Sequence, residues 1–261
     1  MGFYRHYQAW TQQRHHRVWD HNPKLAGRDL AKSLGIPVPA LHGLANGPEG
    51  VARIMSGVSG AFVLKPNQGS TTRGVQPLRR DGDGFRSLWT GEVDTAEGWA
   101  ARMHEHCTRD KSGHSDSARR PWLVEQCITG PDGSAADDIR VYAIRGTVAW
   151  VHRSRRQGRL ARYYANWTRD GEALPMGQVD YSTKLPGRDP ADLPRPVWFR
   201  DNIDAAERVA RDTGADFLRV DFYEDAESHY FGELTPCPGP LNRQLIRFGK
   251  ELDAAMAEMW G

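Results

Sequence analysis

A lysine and a loop of small residues follow a short apolar run in FVLKPNQGSTTRGV, residues 62–75. The apolar run predicts a buried strand that ends at Lys65. The loop adds backbone N–H groups and hydroxyl donors to the lysine charge, a combination that suits a phosphate. The lysine precedes the glycines, so this is not a Walker A loop. A surface hairpin loop with a lysine at its rim is the alternative interpretation.

Two carboxylates interrupt the apolar strands predicted within FLRVDFYEDAESHYFGELTP, residues 217–236. A turn at 224–228 would bring Asp221 and Glu233 side by side, where two buried negative charges repel each other and need a cation. Hard oxygen ligands of this kind suit Mg²⁺. Alternatively, each carboxylate forms an ion pair with an arginine, such as Arg219 or Arg140.

Arginines form the third group of residues that could take part in binding or catalysis. Arg140 lies early in the predicted strand DIRVYAIRG (138–146), and Arg153 closes the next strand. Arginines at strand ends bind phosphate or carboxylate bidentately, or they are solvated residues that discourage edge pairing. The arginine- and tyrosine-rich segment 152–171 fits an acidic or phosphorylated substrate, an RNA contact, or a solvated loop whose arginines pair with nearby carboxylates.

The elements that hold these residues follow from periodicity and from helix and turn signals. Helices are predicted over 3–19, 22–34, 47–55, 95–106 and 201–213, the last of them capped by Asp201 or Asn202, with one or two more over 241–260. Strands are predicted over 62–65, 74–80, 85–89, 122–128, 138–144, 147–153, 217–223 and 229–235. Residues 154–200 are expected to be mostly loop with short strands. This mixture with antiparallel hairpins favours an α+β fold.

Composition excludes several classes of protein. The 35 basic and 33 acidic residues nearly cancel, so no overall charge indicates a nucleic-acid or membrane partner. No run of 18 apolar residues occurs, and the first 20 residues lack the apolar core of a signal peptide. The three cysteines are scattered and lack metal-ligand spacing. We therefore expect a reduced, cytoplasmic protein that does not bind membranes.

Five segments, taken in order, resemble the ATP-grasp superfamily: 65–74, 124–128, 138–146, 220–223 and 231–239. VDFYED, YFGELTPCPG and the opening NPKLAGRDLAKSLGIPVP are similar to the TupA-like group, which is linked to teichuronopeptide and other surface-polymer biosynthesis. DIRVYAIRG is more similar to the ribosomal-protein glutamate ligase branch. The resemblance covers about two-thirds of the chain.

The resemblance implies an α+β ATP-grasp fold, in which two lobes with antiparallel sheets grip the nucleotide after a short N-terminal helical segment. The implied division is 1–46 for N-terminal helices and a short strand, 47–128 for the small ATP-binding lobe, and 129–261 for the large lobe with the Mg²⁺ and acceptor sites. The implied cofactors are ATP and Mg²⁺.

The implied activity is that of a ligase that joins a small-molecule or peptide carboxylate to an amine through an acylphosphate, with release of ADP. A small-molecule kinase on the same fold and an inactive ATP-binding scaffold are the alternatives. An RNA contact and a homodimer are not excluded.

The resemblance also implies roles for single residues, with catalysis by Lys65 and Arg140. The implied nucleotide contacts are Lys24, Lys65, Gly69, Ser70, Thr71, Thr72, Glu125, Gln126, Cys127, Ile128 and Asp138. The implied Mg²⁺ ligands are Asp221, Glu233 and Asn242, the last replacing an asparagine of many relatives at the position where this chain has Thr235. The expected substrate contacts are Arg73, Arg153, Arg155, Arg162 and Tyr163.

Overall fold

A computed structural model describes residues 2–13, 16–68, 74–108, 121–158, 160–182 and 188–261. The chain divides into a larger unit, residues 1–38 with 137–261, and a smaller unit, residues 39–136. The predicted division into 1–46, 47–128 and 129–261 stays a prediction, and residues 1–38 pack within the larger unit. Residues 39–46 belong to the smaller unit because the strand Leu41–Ala45 pairs with Trp122–Gln126.

The helices and strands are as follows. The α-helices are α1 (Phe3–Thr11), α2 (Lys24–Ser33), α3 (Gly47–Ser56), α4 (Ala96–Thr108), α5 (Phe199–Thr213), α6 (Gly239–Asn242) and α7 (Lys250–Met259), with a 3₁₀ helix at Arg17–His21. The strands are β1 (Leu41–Ala45), β2 (Ala61–Pro66), β3 (Gln76–Asp81), β4 (Gly84–Ser87), β5 (Val93–Asp94), β6 (Trp122–Gln126), β7 (Asp138–Ile144), β8 (Thr147–Gln157), β9 (Leu160–Trp167), β10 (Val179–Tyr181), β11 (Asp189–Pro190), β12 (Phe217–Glu224), β13 (His229–Thr235) and β14 (Ile246–Phe248).

The smaller unit is an antiparallel sheet in the order β1-β6-β2-β3-β4-β5, packed with α3 and α4. Phe62 and Leu64 of β2 join Trp122 and Val124 of β6 in a core shared with both helices. Side chains alternate between the two faces of a strand, so Lys65 and its neighbours on β6 point to the opposite face. The alternation therefore places Lys65 on the side of the sheet that the helices do not cover.

The larger unit contains a six-stranded sheet in the order β11-β9-β8-β7-β12-β13. All pairings are antiparallel except that of β11 with β9. One face of this sheet is apolar along its centre and packs with α5. His229 stacks on Phe222 of this face and forms a hydrogen bond with Asn202 of α5. At one end of the opposite face, Tyr142 stacks on Trp150 at 3.9 Å between ring centroids. Aromatic residues of α1 and α7 cover this end, and polar residues follow at the other end.

The mixed α+β fold is confirmed. The first helix, predicted over 3–19, ends at Thr11, and a separate 3₁₀ helix follows at Arg17–His21. Three further predicted elements are wrong in detail. Residues 154–200 are not mostly loop, because β8 continues through Gln157 and β9 adds eight residues to the sheet. The helix expected to start at Asp201 or Asn202 starts at Phe199. The backbone N–H groups of Val197 and Trp198, just before the helix, donate to the carboxylate of Glu224 at 3.0 and 3.1 Å. This distant carboxylate takes the role that a local capping residue normally has.

The third difference lies near the C-terminus, where the segment predicted as one or two helices also contains a strand. β14 (Ile246–Phe248) separates α6 from α7 and pairs with β10. This pairing joins segments more than 60 residues apart, and periodicity along the chain carries no information about such contacts. None of the described helices is long and apolar enough to cross a membrane.

Candidate active site

A row of polar residues crosses five neighbouring strands of the larger unit. Glu233 lies opposite Asp221, Asp221 opposite Arg140, Arg140 opposite His152, and His152 opposite Asn166. Directly opposed residues point to the same face of a sheet. The fold therefore aligns two carboxylates, a guanidinium, an imidazole and an amide on the face that α5 does not cover.

Arg219 links the two carboxylates at one end of this row. Its Nε lies 2.6 Å from Asp221 Oδ1, and its Nη2 lies 2.6 Å from Asp221 Oδ2 and 2.8 Å from Glu233 Oε1. Lys24 Nζ lies 3.8 Å from Glu233 Oε2. Burial raises the pKa of Asp221 to about 6, with a further contribution from Glu233 and against the lowering effect of Arg219. The arginine compensates the two negative charges only in part.

These carboxylates fit a Mg²⁺ ion as protein ligands. Arg219 donates to three of their oxygens, but each carboxylate oxygen has two lone pairs, so acceptor capacity remains. The raised pKa of Asp221 indicates that a further cation would be stabilised there. Among the described residues, no group of three or more His, Cys, Asp or Glu side chains could hold a metal. Mg²⁺ typically takes one or two carboxylates and completes its shell with substrate phosphates and water, which this donor pair allows.

Asp138 holds two arginines in the middle of the row. Its Oδ2 accepts from Arg140 Nη2 at 3.1 Å and from Arg156 Nη2 at 2.9 Å. Burial alone would raise the pKa of Asp138, but Arg156 and Arg140 hold it below its usual value. Arg140 Nε is buried and has no hydrogen-bond partner in the part of the chain that the structure describes. Asp138 thus orients Arg140 and leaves this donor available.

In the smaller unit, Lys65 of β2 and Glu125 of β6 form a buried ion pair. They lie diagonally on the same face, because Glu125 is opposite Val63 in the sheet. A lysine that emerges from an apolar strand beside a carboxylate presents a localised positive charge. The pair is on the sheet face that α3 and α4 leave uncovered.

The segment after Glu125 is partly engaged within its own unit. The N–H groups of Gln126 and Cys127 donate to the carbonyls of Ala40 at 2.7 Å and Ala61 at 3.0 Å. The two residues directly after Glu125 thus use their N–H groups within the unit, and neither bond involves the N–H group of Ile128. Burial, together with Glu125, raises the pKa of the Cys127 thiol to about 12. This cysteine remains a neutral thiol at physiological pH and is not a nucleophile.

The expected substrate arginines are largely paired within the protein. Arg153 and Arg155 both contact Asp137, at 2.7 and 3.1 Å. Arg162 contacts Asp189 at 3.3 Å and lies over the ring of Tyr163. Since Arg153 is opposite Ile139, it points to the face away from Arg140. The structure therefore does not bring Arg153 or Arg155 to the polar row.

Asn242 is exposed at the end of α6, and among the hydrogen bonds of the described residues none joins its side chain to Asp221 or Glu233. Gly69, Ser70, Thr71, Thr72 and Arg73 lie outside the described residues.

Residues that the sequence analysis did not select complete the row. His152 Nδ1 lies 2.9 Å from Asn166 Oδ1, and its Nε2 lies 3.3 Å from the hydroxyl of Tyr181. Arg188 lies over the ring of Tyr181. The tight turn at Arg145–Gly146 could have identified His152, because a hairpin about that turn brings residue 152 close to residue 140. Tyr181 and Arg188 had no such local signal.

Comparison with known proteins gives a family and a fold. The TupA-like ATP-grasp family matches residues 54–259. No curated protein sequence matches the chain. The structure resembles a biotin carboxylase–β,γ-ATP complex from Campylobacter jejuni, with a TM-score of 0.55 and 15% identity over 92% of this chain and 46% of the other. It also resembles the D-alanine–D-alanine ligase of Helicobacter pylori, with a TM-score of 0.50 and 16% identity over 92% and 57%.

A lower TM-score of 0.48 relates it to the ATP-grasp ligase PsnB in complex with precursor peptide PsnA2 and AMPPNP, at 17% identity over 94% of this chain and 60% of the other. This chain thus spans six-tenths or less of each of these three proteins. At such low identity, the two higher scores establish the ATP-grasp fold alone. The family match covers most of the chain, and the protein belongs to the TupA-like ATP-grasp family.

Proposed function

We propose that this protein is an ATP- and Mg²⁺-dependent ligase that joins a carboxylate to an amine. The observation that carries the proposal is the alignment of Glu233, Asp221 and Arg140 on three neighbouring strands. Two hard oxygen ligands beside an arginine with a free donor suit the transfer of a phosphoryl group. Membership of the ATP-grasp family supports the same chemistry.

In this proposal, Asp221 and Glu233 hold Mg²⁺, which would neutralise phosphate charge when bound. Arg140 contacts the transferring phosphoryl group through its free Nε, while Asp138 fixes the orientation of its guanidinium. Lys65, which forms an ion pair with Glu125, contacts the nucleotide phosphates. The Ile128 N–H is the proposed donor to the adenine base.

The reaction divides into two displacements. A carboxylate oxygen of the acid attacks the γ-phosphorus of ATP, the bond to the β-phosphate oxygen breaks, and ADP leaves. The amine nitrogen then attacks the carbonyl carbon of the acylphosphate, phosphate leaves, and the nitrogen loses a proton. The protein's contribution is to align the reactants and to neutralise charge with fixed cationic groups. This chemistry requires no nucleophilic side chain, which agrees with the buried, neutral Cys127.

The proposal is tested by incubating the protein with MgATP, a panel of carboxylic acids and hydroxylamine. Hydroxylamine intercepts acylphosphates as hydroxamates, so an active acid yields ADP and hydroxamate in equal amounts. A kinase would instead yield ADP and a stable phosphorylated alcohol when given a hydroxyl acceptor. Failure to bind AMPPNP in the presence of Mg²⁺ by calorimetry would exclude both reactions, whereas binding without turnover of any acid or alcohol would favour an inactive ATP-binding scaffold. The variant Asp221→Asn/Glu233→Gln is the matched control for metal-dependent turnover.

A further inference from the structure

Within the described residues, the guanidinium of Arg188 in the larger unit lies over an aromatic ring and forms no ion pair with a carboxylate. It lies over the ring of Tyr181, with 4.5 Å between Cζ and the ring centroid. Its Nη1 is buried and has no hydrogen-bond partner among the described residues. A buried guanidinium N–H without an acceptor is costly. Arg188 is therefore in an arrangement that an oxyanion would complete.

Arg188 reaches the polar row through two contacts. The Tyr181 ring beneath its guanidinium carries the hydroxyl that lies 3.3 Å from His152 Nε2, and His152 is directly opposite Arg140. Burial lowers the pKa of Arg188, and the positive charge of Arg140 lowers it further. Two cationic groups thus repel each other on one face of the sheet, although the burial of each would favour an anion between them.

Further donors lie on the same part of that face. Arg140 Nε and Ser154 Oγ are also buried without a hydrogen-bond partner among the described residues. Ser154 is directly opposite Asp138, whose Oδ2 already accepts from Arg140 and Arg156. Three unpaired donors and one occupied carboxylate leave a surplus of positive charge and hydrogen-bond donors.

His152 adds an uncharged imidazole to the group formed by Arg140, Arg188, Ser154 and Tyr181. Burial lowers its pKa to about 3, with a further contribution from Arg140, so the imidazole is neutral at physiological pH. Its two nitrogens lie within hydrogen-bond distance of Asn166 and Tyr181, which fixes the ring and the phenol above it. The positive charge on this part of the face therefore comes from guanidinium groups and not from the imidazole.

The order of residues along the row indicates which oxyanion binds there. Asp221 and Glu233, the proposed Mg²⁺ ligands, lie on one side of Arg140, whereas His152 lies on the other. If the triphosphate is held at the metal side, the side of Arg188 receives the other reactant. That reactant carries a carboxylate, which a guanidinium and hydroxyl groups bind well.

We propose that Arg188, with the hydroxyls of Ser154 and Tyr181, binds the reacting carboxylate of the acid substrate next to the phosphoryl group that Arg140 contacts. The assignment deepens the proposed function and rests on it, since the metal side of the row defines the side left for the acid. Arg188 is thereby a substrate-binding residue, and His152 is a positioning residue that holds Tyr181.

The test uses propionate as the probe for a carboxylate and inorganic phosphate as its competitor, both with MgADP at constant ionic strength. Thermal unfolding of the full chain is followed for the wild type, Arg188→Met and Arg188→Lys. Arg195→Met is the matched control, because Arg195 also lies over an aromatic ring, that of Phe199, but is exposed. Propionate should raise the unfolding temperature of the wild type and of Arg195→Met.

In Arg188→Met, the dissociation constant for propionate should rise about 10- to 100-fold, since a charged hydrogen bond is lost. The propionate dissociation constant of Arg188→Lys should lie between those of the wild type and Arg188→Met, because a lysine keeps the charge and loses the planar donor pair. Without an anion, Arg188→Met should unfold at the same temperature as the wild type or higher, because the substitution removes a cation that repels Arg140. A residue with only a structural role would instead destabilise the protein when replaced.

Three results would overturn the assignment: protection by phosphate but not propionate, an unchanged propionate constant in Arg188→Met, or a lower unfolding temperature of that variant without anion. Calorimetric binding of MgADP is measured separately. Its absence would contradict the proposed function, while propionate titration without nucleotide would still report on the subsite.

Discussion

Lys65 and Glu125 form an ion pair in which both side chains are almost fully buried, with 8% and 5% exposed. They lie on neighbouring antiparallel strands, β2 and β6. Removing one partner of a buried ion pair is far more damaging than replacing both, because the remaining charge loses its compensation. Comparing a single variant with the double variant therefore separates the contribution of the pair to stability from the proposed contact of Lys65 with the phosphates.

The first prediction concerns Lys65→Met. The substitution removes the cation next to the buried carboxylate of Glu125, and we expect the free energy of unfolding to fall by about 3–5 kcal/mol. The double variant Lys65→Met/Glu125→Gln should recover most of this loss, as measured by urea denaturation. Calorimetry with AMPPNP and Mg²⁺ should show weakened binding in both variants. Binding by the double variant at the wild-type affinity would mean that Lys65 has only a structural role.

The second prediction is that stabilisation by Mg²⁺ depends on pH. The pKa of Asp221 is raised to about 6 in the folded protein, so protonation stabilises the fold. That contribution is fully present below the unfolded value of about 4 and is lost as the pH rises through about 6. Mg²⁺ requires the ionised carboxylate, so its binding opposes this protonation. The increase in unfolding temperature caused by Mg²⁺ should be larger at about pH 7.5 than at about pH 5.

Asp221→Asn is the variant that isolates this effect. An amide cannot titrate, so the difference between the two pH values should largely disappear. Asp189→Asn is a matched control, because Asp189 is an exposed carboxylate with an arginine partner at the sheet edge. An equal pH dependence in the wild type and in Asp221→Asn would remove Asp221 from the metal site.

The third prediction concerns Arg219, which joins Asp221 to Glu233. Arg219→Gln leaves two neighbouring carboxylates with less compensating charge, and we expect a loss of about 3–5 kcal/mol in stability without metal. Mg²⁺ should restore more stability to this variant than it adds to the wild type, because it replaces the missing positive charge. Urea denaturation with and without Mg²⁺ measures both quantities. If Mg²⁺ has the same effect on both proteins, the carboxylates do not hold the ion.

The site divides into parts that the sequence could and could not predict. Asp221 and Glu233 were paired correctly because a single turn, with Asp225 accepting from the N–H groups of Glu227 and Ser228, joins their strands. Arg140 lies opposite Asp221 through a pairing between segments about 80 residues apart, and no local pattern specifies which strands become neighbours.

The same limit explains why β9 was predicted as loop. The end of β8 and the turn into β9 are rich in arginine, which contradicts the usual strand composition. Asp137 and Asp189 offset the charges of Arg155 and Arg162, and these contacts cannot be read from the neighbouring residues in the chain. Long-range ion pairs allow a charged segment to join the sheet.

The last prediction distinguishes a structural from a substrate-binding role for Arg153. Its guanidinium contacts Asp137 at 2.7 Å and the carbonyl of Pro194 at 2.8 Å, on the sheet face away from Arg140. Arg153→Gln should lower the free energy of unfolding by roughly 3 kcal/mol, the lower end for a buried pair, because Arg155 still contacts Asp137. The matched exposed variant, Arg162→Gln, should lose no more than about 1 kcal/mol. Urea denaturation measures both losses.

The Michaelis constant for the acid provides the complementary measurement. Since Arg153 faces away from the polar row, Arg153→Gln should leave that constant unchanged once an active acid is known, whereas Arg188→Met should raise it. The opposite pattern, with an intact free energy of unfolding and a raised constant in Arg153→Gln, would return Arg153 to the substrate site that the arginine-rich sequence first suggested. Stability and substrate affinity together therefore determine which arginines of this unit hold the fold and which bind the acid.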